Sequence, residues 1–412
     1  MKRNIIIENA CIVTPLGKES KRGKDMGNIN VFPDSVIVVE EGIITFIGRK
    51  EEIPSIIDRK DYEKFDAYGN VVLPGFVDSH THLVFGGFRP DEFEWRLKGD
   101  SYMSIMERGG GIQSTVNATK KESSEFLTSK ALWFLKQMSK MGVTTVEAKS
   151  GYGLDEATEE KMLDIINSFN LLDEKFIDVV PTFLGAHAVP PDYKGRTSEY
   201  VDYLIEMLPK IKDKAKFCDV FCEKNVFELE DSSRLLNAAK QLGFKLKLHA
   251  DEIVTLGGGE LSAELGAVSA DHLLHVSDEG IKKMAEAGVV ATLLPLTAFA
   301  LKEPYAPARK FIDAGCAVAL ATDLNPGSCF SGSIPLTIAL ACIYMNMSIE
   351  ETITALTLNG AAALDIADET GSIEVGKKGD FAILNSDNYK VLPYYVGMNC
   401  VAHTIYRGYL VQ

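Results

Sequence analysis

The sequence has too little positive charge to attract a polyanion. Its 412 residues include 43 Lys and Arg against 58 Asp and Glu, a formal net charge of −15 at pH 7. The basic stretch over residues 18–24 is short and is interrupted by Glu19 and Gly23. Because nucleic-acid binding depends on Lys and Arg that neutralise phosphates, we expect no nucleic-acid partner.

Long apolar runs and paired cysteines are also missing. No stretch of about 18 apolar residues occurs, so no membrane-spanning helix is predicted. The apolar segment near the N-terminus is broken by Glu8 and Asn9, and no signal peptide is expected. The seven cysteines are odd in number and form no CxxC pair, a pattern typical of reduced thiols. We therefore expect a cytoplasmic protein without a membrane partner.

The sequence does contain an alternation of apolar runs and helix-periodic segments. The runs cover residues 71–80, 142–149, 176–187, 218–223, 245–250, 269–274, 289–295 and 317–323. The helical segments between and after them include 156–170, 199–214, 229–242, 278–287 and 349–364. Alternating strands and helices predict an α/β fold with parallel strands, and eight units favour a (β/α)₈ TIM-type barrel. An open doubly wound sheet is the alternative, but a glycine-rich phosphate motif after the first strand is missing.

Both ends of the chain are rich in β-forming residues. The first 70 residues and the last 40 or so carry Ile- and Val-rich runs punctuated by Gly, Pro and Asn, as strands and turns do. Two such segments at opposite ends of one chain are able to pair into a single small sheet domain.

Period-two alternation turns several polar side chains towards the barrel interior. Lys247 and His249 lie opposite Leu246 and Leu248 in one run, and the same logic turns Glu147 and Lys149 inward in another. A buried Lys needs a partner, because an unpaired internal charge costs several kcal/mol. The alternation makes Glu147 the available acid, and it leaves open whether these three charged residues are structural or catalytic.

Five of the seven histidines lie at or near the ends of predicted strands. They are His80 and His82 in DSHTH, His187, His249 and His272, and Asp323 ends the last run. Two histidines two residues apart on a strand project to one face and can bind one ion. Imidazole nitrogens with one carboxylate suit zinc or iron better than calcium or magnesium. The sequence therefore predicts a transition-metal site.

The ordered set of motifs resembles the amidohydrolase superfamily along the whole chain. PGFVDSHTH follows the β-rich N-terminal segment, and His249, His272 and a late ATD come after it. The resemblance implies a metal-dependent hydrolase. Its catalytic (β/α)₈ barrel would cover residues 71–365, and residues 1–70 with 366–412 would form a small β-sandwich domain.

A finer resemblance is to the imidazolonepropionase family. The segments HTHLVFGGFR, GGGIQSTV, EAKSGYGL, TFLGAHAVPP, LHADE and ATDLNPGS carry it. It implies hydrolysis of the cyclic amide of 4-imidazolone-5-propanoate to N-formimidoyl-L-glutamate in histidine degradation. The substrate would be a small molecule with a carboxylate.

The same resemblance assigns the site residues. One zinc or iron ion would be held by His80, His82, His249 and Asp323. The substrate would be held by Arg89, Tyr102, Tyr152, His187, Glu252, Asn325, Gly327 and Ser328. Arg89 offers a planar fork of donors that matches a carboxylate, whereas the Pro-Gly turn that contains Gly327 also has a purely structural explanation.

The implied mechanism uses three catalytic residues. Water activated by the metal attacks the ring carbonyl, and His272 with the metal stabilises the developing oxyanion. Asp323 shuttles a proton to the leaving nitrogen, and Glu252 orients the water or shares in that transfer. The sequence leaves open which carboxylate moves the proton.

Other functions remain as alternatives. A cytosine- or guanine-type deaminase would use the same metal-binding residues, although a neutral base needs no carboxylate-binding Arg. A binuclear relative would bridge its metals with a lysine on the fourth strand, where Glu223 ends the run and Lys224 should point away. A non-catalytic assembly protein of the same fold would be expected to have lost ligands. A homodimer is the expected assembly.

Overall fold

A computed structural model gives the fold and describes residues 4–53, 62–100, 108 and 110–411. Tyr102, one of the predicted substrate contacts, lies outside these residues. The strands are β1 (Ile5–Thr14), β2 (Asn30–Glu40), β3 (Ile43–Gly48), β4 (Glu63–Asp66), β5 (Val71–Pro74), β6 (Phe76–Asp78), β7 (Val143–Lys149), β8 (Asp178–Ala186), β9 (Phe217–Cys222), β10 (Lys245–Ala250), β11 (Ser269–His272), β12 (Val290–Leu293), β13 (Ala317–Leu320), β14 (Phe381–Leu384), β15 (Val401–Tyr406) and β16 (Tyr409–Val411).

The described α-helices lie mostly between the barrel strands. They are α1 (Pro90–Leu97), α2 (Ile112–Lys121), α3 (Ser124–Ser139), α4 (Glu156–Ser168), α5 (Thr197–Ile211), α6 (Leu229–Gln241), α7 (Gly258–Leu265), α8 (Asp278–Ala287), α9 (Pro295–Leu301), α10 (Ala308–Asp313), α11 (Ile334–Tyr344), α12 (Ile349–Leu356), α13 (Leu358–Ala362) and α14 (Val391–Tyr394). Among these helices, none is both long and apolar enough to cross a membrane.

The eight strands β6 to β13 form the barrel. Each pairs in parallel with the next one along the chain. The first and last strands are joined just beyond their ends, where Thr81 bridges Leu324 and the Asp323 N–H donates to the His80 carbonyl over 3.0 Å. The predicted (β/α)₈ barrel is confirmed, and its closing seam contains two of the predicted metal ligands.

Both chain ends contribute to a second sheet of eight strands. Its order is β16-β15-β14-β5-β1-β2-β3, and β4 also pairs with β1. Apolar side chains are buried on its strands, among them Ile7, Val39, Val72 and Ile383. The expected small sheet domain built from both ends is therefore present.

The run over residues 71–80 is two strands rather than one. Val71–Pro74 pairs with β1 and β14 in the small sheet, whereas Phe76–Asp78 begins the barrel. Gly75 lies between them, and a Cβ at this position would overlap the Thr144 side chain. The small sheet thus extends past residue 70, because only a glycine allows the chain to pass so close to β7 as it changes sheets.

The single helix expected over residues 349–364 is also divided. Helix α12 ends at Leu356 and α13 begins at Leu358. Thr357 has non-helical angles (φ −123°, ψ −93°), and its hydroxyl donates to the Ile353 carbonyl over 2.6 Å. A threonine that bonds back to the preceding turn in this way tends to bend a helix.

A buried ion cluster ties the barrel to the small sheet. Asp178, at the start of β8, accepts from the Tyr406 hydroxyl at 2.8 Å and from Arg407 Nη2 at 3.0 Å. Its carboxylate also lies 2.7 Å from Lys175 Nζ and 3.2 Å from Lys378 Nζ. Burial alone would raise the pKa of Asp178, but the positive charges of Lys378 and Arg407 lower it by more. The net pKa therefore lies well below its usual value.

Replacing Asp178 should therefore destabilise the fold strongly. Asp178→Asn leaves three cationic side chains without their shared carboxylate, and we expect a loss of roughly 3–5 kcal/mol in the free energy of unfolding. Urea-induced unfolding measures this. Asp202→Asn is the control, because Asp202 pairs with Arg234 but is 68% exposed, and it should cost less than about 1 kcal/mol. Equal effects of the two variants would contradict the role given to Asp178.

Candidate metal centre and active site

Four predicted ligands converge at the C-terminal end of the barrel. His80 and His82 follow β6, His249 lies in β10, and Asp323 follows β13. Asp323 Oδ1 lies 3.5 Å from both His80 Nε2 and His82 Nε2, and His82 Nε2 lies 3.4 Å from His249 Nε2. Ligand bonds of about 2.0–2.1 Å to one tetrahedral ion would place the donor atoms about 3.3–3.4 Å apart. The spacing of His80, His82 and Asp323 therefore fits a single transition-metal ion, and His249 lies next to His82 at the same end of the barrel.

The donor atoms are buried and lack other partners. His80 Nε2 and Asp323 Oδ1 are both buried without a hydrogen bond among the described residues. The other carboxylate oxygen of Asp323 accepts from the Thr297 hydroxyl over 2.6 Å, which fixes the orientation of Oδ1. Buried polar atoms are normally hydrogen-bonded, so these two orphaned atoms suit a cation.

The protonation of His80 also suits a ligand. Its Nδ1 lies 2.6 Å from Asp271 Oδ2. A carboxylate only accepts, so Nδ1 carries the proton and Nε2 presents a lone pair to the centre. Burial lowers the pKa of both His80 and His82 well below the usual value. Both imidazoles are therefore neutral, as metal ligands must be.

A second aspartate lies beside His249. The His249 Nδ1 lies 3.1 Å from Asp219 Oδ2. Burial lowers the pKa of His249, but the Asp219 carboxylate raises it more, so the net pKa is above its usual value. A cation at Nε2 would have to displace that proton.

The charged residues predicted to face inward form one buried cluster. Lys149 Nζ lies 2.8 Å from Glu147 Oε1 and 2.7 Å from Asp219 Oδ2. Burial lowers the pKa of Lys149, but Asp219, Glu147 and Asp271 together raise it above its usual value, so it remains an ammonium. Lys247 Nζ instead donates to Ser269 Oγ over 2.8 Å.

Three functional residues were missed by the sequence interpretation: Asp219, Asp271 and Thr297. Asp219 alternates with Cys218 and Val220 on β9, so the reasoning that turned Lys149 inward would have found it. Asp271 precedes His272, and both reach the site because His272 leaves the strand with φ +74°. Thr297 lies in α9, 26 positions before Asp323, and no sequence pattern connects the two.

Arg89 lies in the loop between β6 and α1, close enough to Tyr152 and His187 to act on both electrostatically. Its side chain is only 11% exposed, and Nη1 lies 3.5 Å from Glu92 Oε2. The guanidinium rests against Gly327, where a Cβ would overlap it, and its Nε is buried without a partner among the described residues. Gly327 is thus close to Arg89, as a shared binding site requires, and its role is to leave space for the guanidinium.

Two aromatic residues line the centre next to His82. The His187 ring stacks on the His82 ring with centroids 4.8 Å apart and a 15° interplanar angle, and the Tyr152 ring lies 5.1 Å from His187. His187 Nδ1 lies 3.1 Å from the Gly151 carbonyl, which fixes the proton on Nδ1. Burial lowers the pKa of His187 to about 3, so it is a neutral hydrogen-bonding group.

Glu252 and His272 form a second pair at the centre. Glu252 Oε1 lies 3.5 Å from His272 Nδ1, and the Glu252 side chain is 18% exposed. Burial and the nearby Asp323 carboxylate raise the pKa of Glu252 to about 8, and burial raises that of Asp323 to about 6. Two carboxyl groups with such raised pKa values are suited to proton transfer near neutral pH.

The described residues offer two groups of possible metal ligands, which share His80 and place His249 and Asp323 in different groups. His80, His82 and Asp323 form one set of mutually close donor atoms, and His80, His249 and His272 form another. Burial lowers the pKa of His272 well below its usual value. The assignment of His272 as a non-ligand is therefore a prediction that a variant must test.

The loop after β13 holds its own polar groups. Asn325 Oδ1 accepts from the backbone N–H of Gly327 and of Ser328, both at 2.8 Å. Asn325 Nδ2 donates to the Asp323 carbonyl, also at 2.8 Å. The bonds made by Asn325 stabilise the turn that presents Asp323, while Ser328 remains only partly buried.

The comparisons with known proteins identify the family. Residues 71–411 match the model of the amidohydrolase family. The imidazolonepropionase of Bacteroides thetaiotaomicron is 65% identical, with 100% of this chain and 99% of that protein covered. The imidazolonepropionase of Clostridium tetani is 56% identical, with 100% and 98% covered. This chain belongs to the amidohydrolase family and, within it, to the imidazolonepropionases.

Solved amidohydrolases share the fold at low identity. Guanine deaminase of E. coli superposes with a TM-score of 0.74 at 15% identity, covering 99% of each chain. A zinc-bound adenosine deaminase of Xanthomonas campestris gives 0.70 at 19% identity, with 98% of this chain and 92% of that chain covered. These similarities concern the fold, whereas the imidazolonepropionase relatives match in sequence throughout.

The metal assignment predicts a specific loss. The purified chain should contain one transition-metal ion, and Asp323→Asn should weaken metal affinity by more than about 100-fold, because removing a ligand exceeds the 10–100-fold effect of residues that only orient one. Elemental analysis after chelator competition measures both. Asp313→Asn, at a 69% exposed position, is the control and should bind metal normally. Two ions per chain would contradict the mononuclear assignment.

Proposed function

We propose that this chain hydrolyses 4-imidazolone-5-propanoate to N-formimidoyl-L-glutamate, the ring-opening step of histidine degradation. One observation carries the choice of substrate class. A nearly buried guanidinium, Arg89, acts electrostatically on Tyr152 and His187, the rings next to His82. Its nearest carboxylate is Glu92 at 3.5 Å, and its buried Nε has no partner among the described residues. A buried charge needs close partners, and a small carboxylate provides them. The sequence identity to named imidazolonepropionases supports the exact substrate.

The cofactor that we propose is one zinc or iron ion, held by His80, His82, His249 and Asp323. When bound, such an ion supplies a Lewis acid and makes water a nucleophile near neutral pH. Nitrogen donors with a single carboxylate favour these metals over calcium and magnesium. The two orphaned donor atoms at the centre support this assignment.

The remaining residues orient the substrate and move protons. Arg89 binds the propionate through two parallel N–H bonds, and Tyr152 and His187 pack along the ring. His272 donates a hydrogen bond to the oxygen of the ring carbonyl as negative charge develops there. One carboxylate, Asp323 or Glu252, accepts a proton of the attacking water and returns it to the ring nitrogen as the C–N bond breaks.

The structure supplies a reason to prefer ring opening to deamination. Cytosine and guanine are neutral and offer no carboxylate for Arg89. The similarity to solved deaminases is below 20% in sequence identity and extends to fold alone. A deaminase nevertheless remains the second candidate, since the same donor set would serve it.

We further propose that the chain acts on small molecules as a cytoplasmic homodimer, without nucleic-acid or membrane partners. The net charge of −15 and the unpaired state of all seven cysteines support this view. Exposed apolar side chains in α11 and α14 offer a surface for self-association. Among them, Tyr344 is 60% exposed and Tyr394 is 78% exposed.

His272 should be needed for turnover but not for metal binding. His272→Asn should keep the metal while kcat falls roughly 10²–10³-fold, because a donor to the developing oxyanion is lost. His275→Asn, three residues along, serves as the matched control and should retain both the metal and the kcat of the unmodified chain. Metal analysis and steady-state kinetics on the same preparations measure the metal content and kcat. If the metal disappears with His272, the ligand assignment is wrong.

Arg89 should determine the substrate. Arg89→Lys keeps the charge but loses the bidentate fork, and kcat/KM should fall by one to three powers of ten, about 1.4–4 kcal/mol. Arg89→Ala should lose more. Both variants should retain the metal, which separates loss of substrate binding from loss of the metal.

Two comparisons complete this experiment. Arg234→Lys, on the outer helix α6, should behave as the unmodified chain. A substrate analogue without the carboxylate should be equally poor with the unmodified chain and with Arg89→Ala. Full activity of Arg89→Ala on the imidazolone would exclude carboxylate binding by this residue and would favour the deaminase.

A further inference from the structure

Lys149 lies at the centre of the barrel, below the metal site. Its side chain is completely buried at the end of β7. The ammonium lies 2.7 Å from Asp219 Oδ2, 2.8 Å from Glu147 Oε1 and 3.7 Å from Asp271 Oδ2. A lysine with this many buried carboxylates is held rigidly, since each lost contact would leave a buried charge unpaired.

Two of these carboxylates face metal ligands through the same oxygen that faces Lys149. Asp271 Oδ2 lies 2.6 Å from His80 Nδ1, and Asp219 Oδ2 lies 3.1 Å from His249 Nδ1. We propose that Lys149 is a positioning residue, which acts on His249 through its 2.7 Å hydrogen bond to Asp219 and on His80 through a longer ionic contact, 3.7 Å, with Asp271. The inference rests on the proposed metal site and adds a residue that determines its affinity.

The order of the barrel strands explains how one side chain can reach both aspartates. Lys149, Asp219 and Asp271 come from the second, fourth and sixth barrel strands, β7, β9 and β11. Side chains from alternate strands fill one layer of a TIM-type barrel. Lys149 therefore lies in the layer directly beneath the ligands and joins two strands on either side of β10, which carries His249.

Lys247 provides the matched comparison. It is also completely buried within the barrel, but its Nζ is 3.6 Å from Asp271 Oδ2, and no contact with Asp219 is described for it. Its other bonds go to Ser269 Oγ and to the carbonyls of Ser79 and Ala363. Removing either lysine takes from the barrel one buried positive charge and one ionic contact of 3.6–3.7 Å with Asp271, which keeps its 2.7 Å bond from Ser269 Oγ in both cases. Only Lys149 also bonds Asp219.

The direction of the effect distinguishes positioning from simple charge. Removing a cation near a metal site would tighten metal binding if charge repulsion dominated. Losing the orientation of two ligands would weaken binding, and groups that orient ligands are typically worth 10–100-fold in metal affinity. Positioning therefore predicts weaker binding in Lys149→Met, the opposite of the charge effect.

The experiment compares Lys149→Met with Lys247→Met in the full chain. Metal dissociation constants are measured by chelator competition, and the visible spectrum of the Co²⁺-substituted protein reports the ligand geometry. Lys149→Met should bind metal roughly 10–100-fold more weakly with an altered spectrum, while Lys247→Met should change affinity by less than about threefold and keep the spectrum.

The outcomes separate this inference from the proposed function. Equal losses in the two variants, or tighter binding by Lys149→Met, would overturn the positioning role. If Lys149→Met does not fold, Lys149→Gln against Lys247→Gln gives the same comparison, since an amide can donate to one aspartate but carries no charge. If the unmodified chain binds no metal and opens no imidazolone ring, the proposed function itself fails.

Discussion

The site depends on keeping three imidazoles and one free carboxylate oxygen facing each other in a closed interior. Such an arrangement is costly by itself, because a buried polar atom without a partner costs about 1–3 kcal/mol. His80 Nε2 and Asp323 Oδ1 are in that position. Their other atoms are fixed by Asp271 and Thr297, so the pair cannot turn away. A cation at the centre relieves the cost.

The barrel closes at the same place. The backbone bond between His80 and Asp323 joins the first strand to the last, and Asp78 accepts from the Thr322 N–H and hydroxyl one layer below. The bond that closes the barrel therefore also brings two of the proposed metal ligands together. His272 and Asp323 carry positive φ values of 74° and 53°, and strain of this kind is common where side chains are aimed at a reaction centre.

The proposed metal ligands and the residue proposed to bind the substrate carboxylate lie in different parts of the site. The metal ligands and the aspartates behind them belong to strands or strand ends, which hold them rigidly. Arg89 lies in a loop. Lys130 contacts that loop, since its ammonium packs against the Phe85 and Phe88 rings and donates to the Gly87 carbonyl over 2.6 Å. Loops on a rigid scaffold are where enzymes of this fold vary their chemistry. The low identity to deaminases of the same fold is consistent with that division.

Much of this could be predicted from the sequence, for identifiable reasons. Period-two alternation placed Lys149 and Lys247 in the interior, and the HxH spacing brought His80 and His82 to one face. The same alternation applied to β9 would have revealed Asp219. The change of sheets at Gly75 and the pairing of Thr297 with Asp323 depend on contacts between distant segments. Local sequence patterns do not predict such contacts. The helix break at Thr357 reflects a single side-chain bond that competes with helix propensity.

The most direct test is turnover by the purified chain. The loss of imidazolone absorbance is followed with 4-imidazolone-5-propanoate before and after removal of the metal by a chelator, and ammonia release is followed with guanine and cytosine. We predict metal-dependent ring opening that returns when zinc or iron is restored, and no ammonia from either base. Ring opening that persists at full rate without metal, or deamination of a base in its place, would contradict the account.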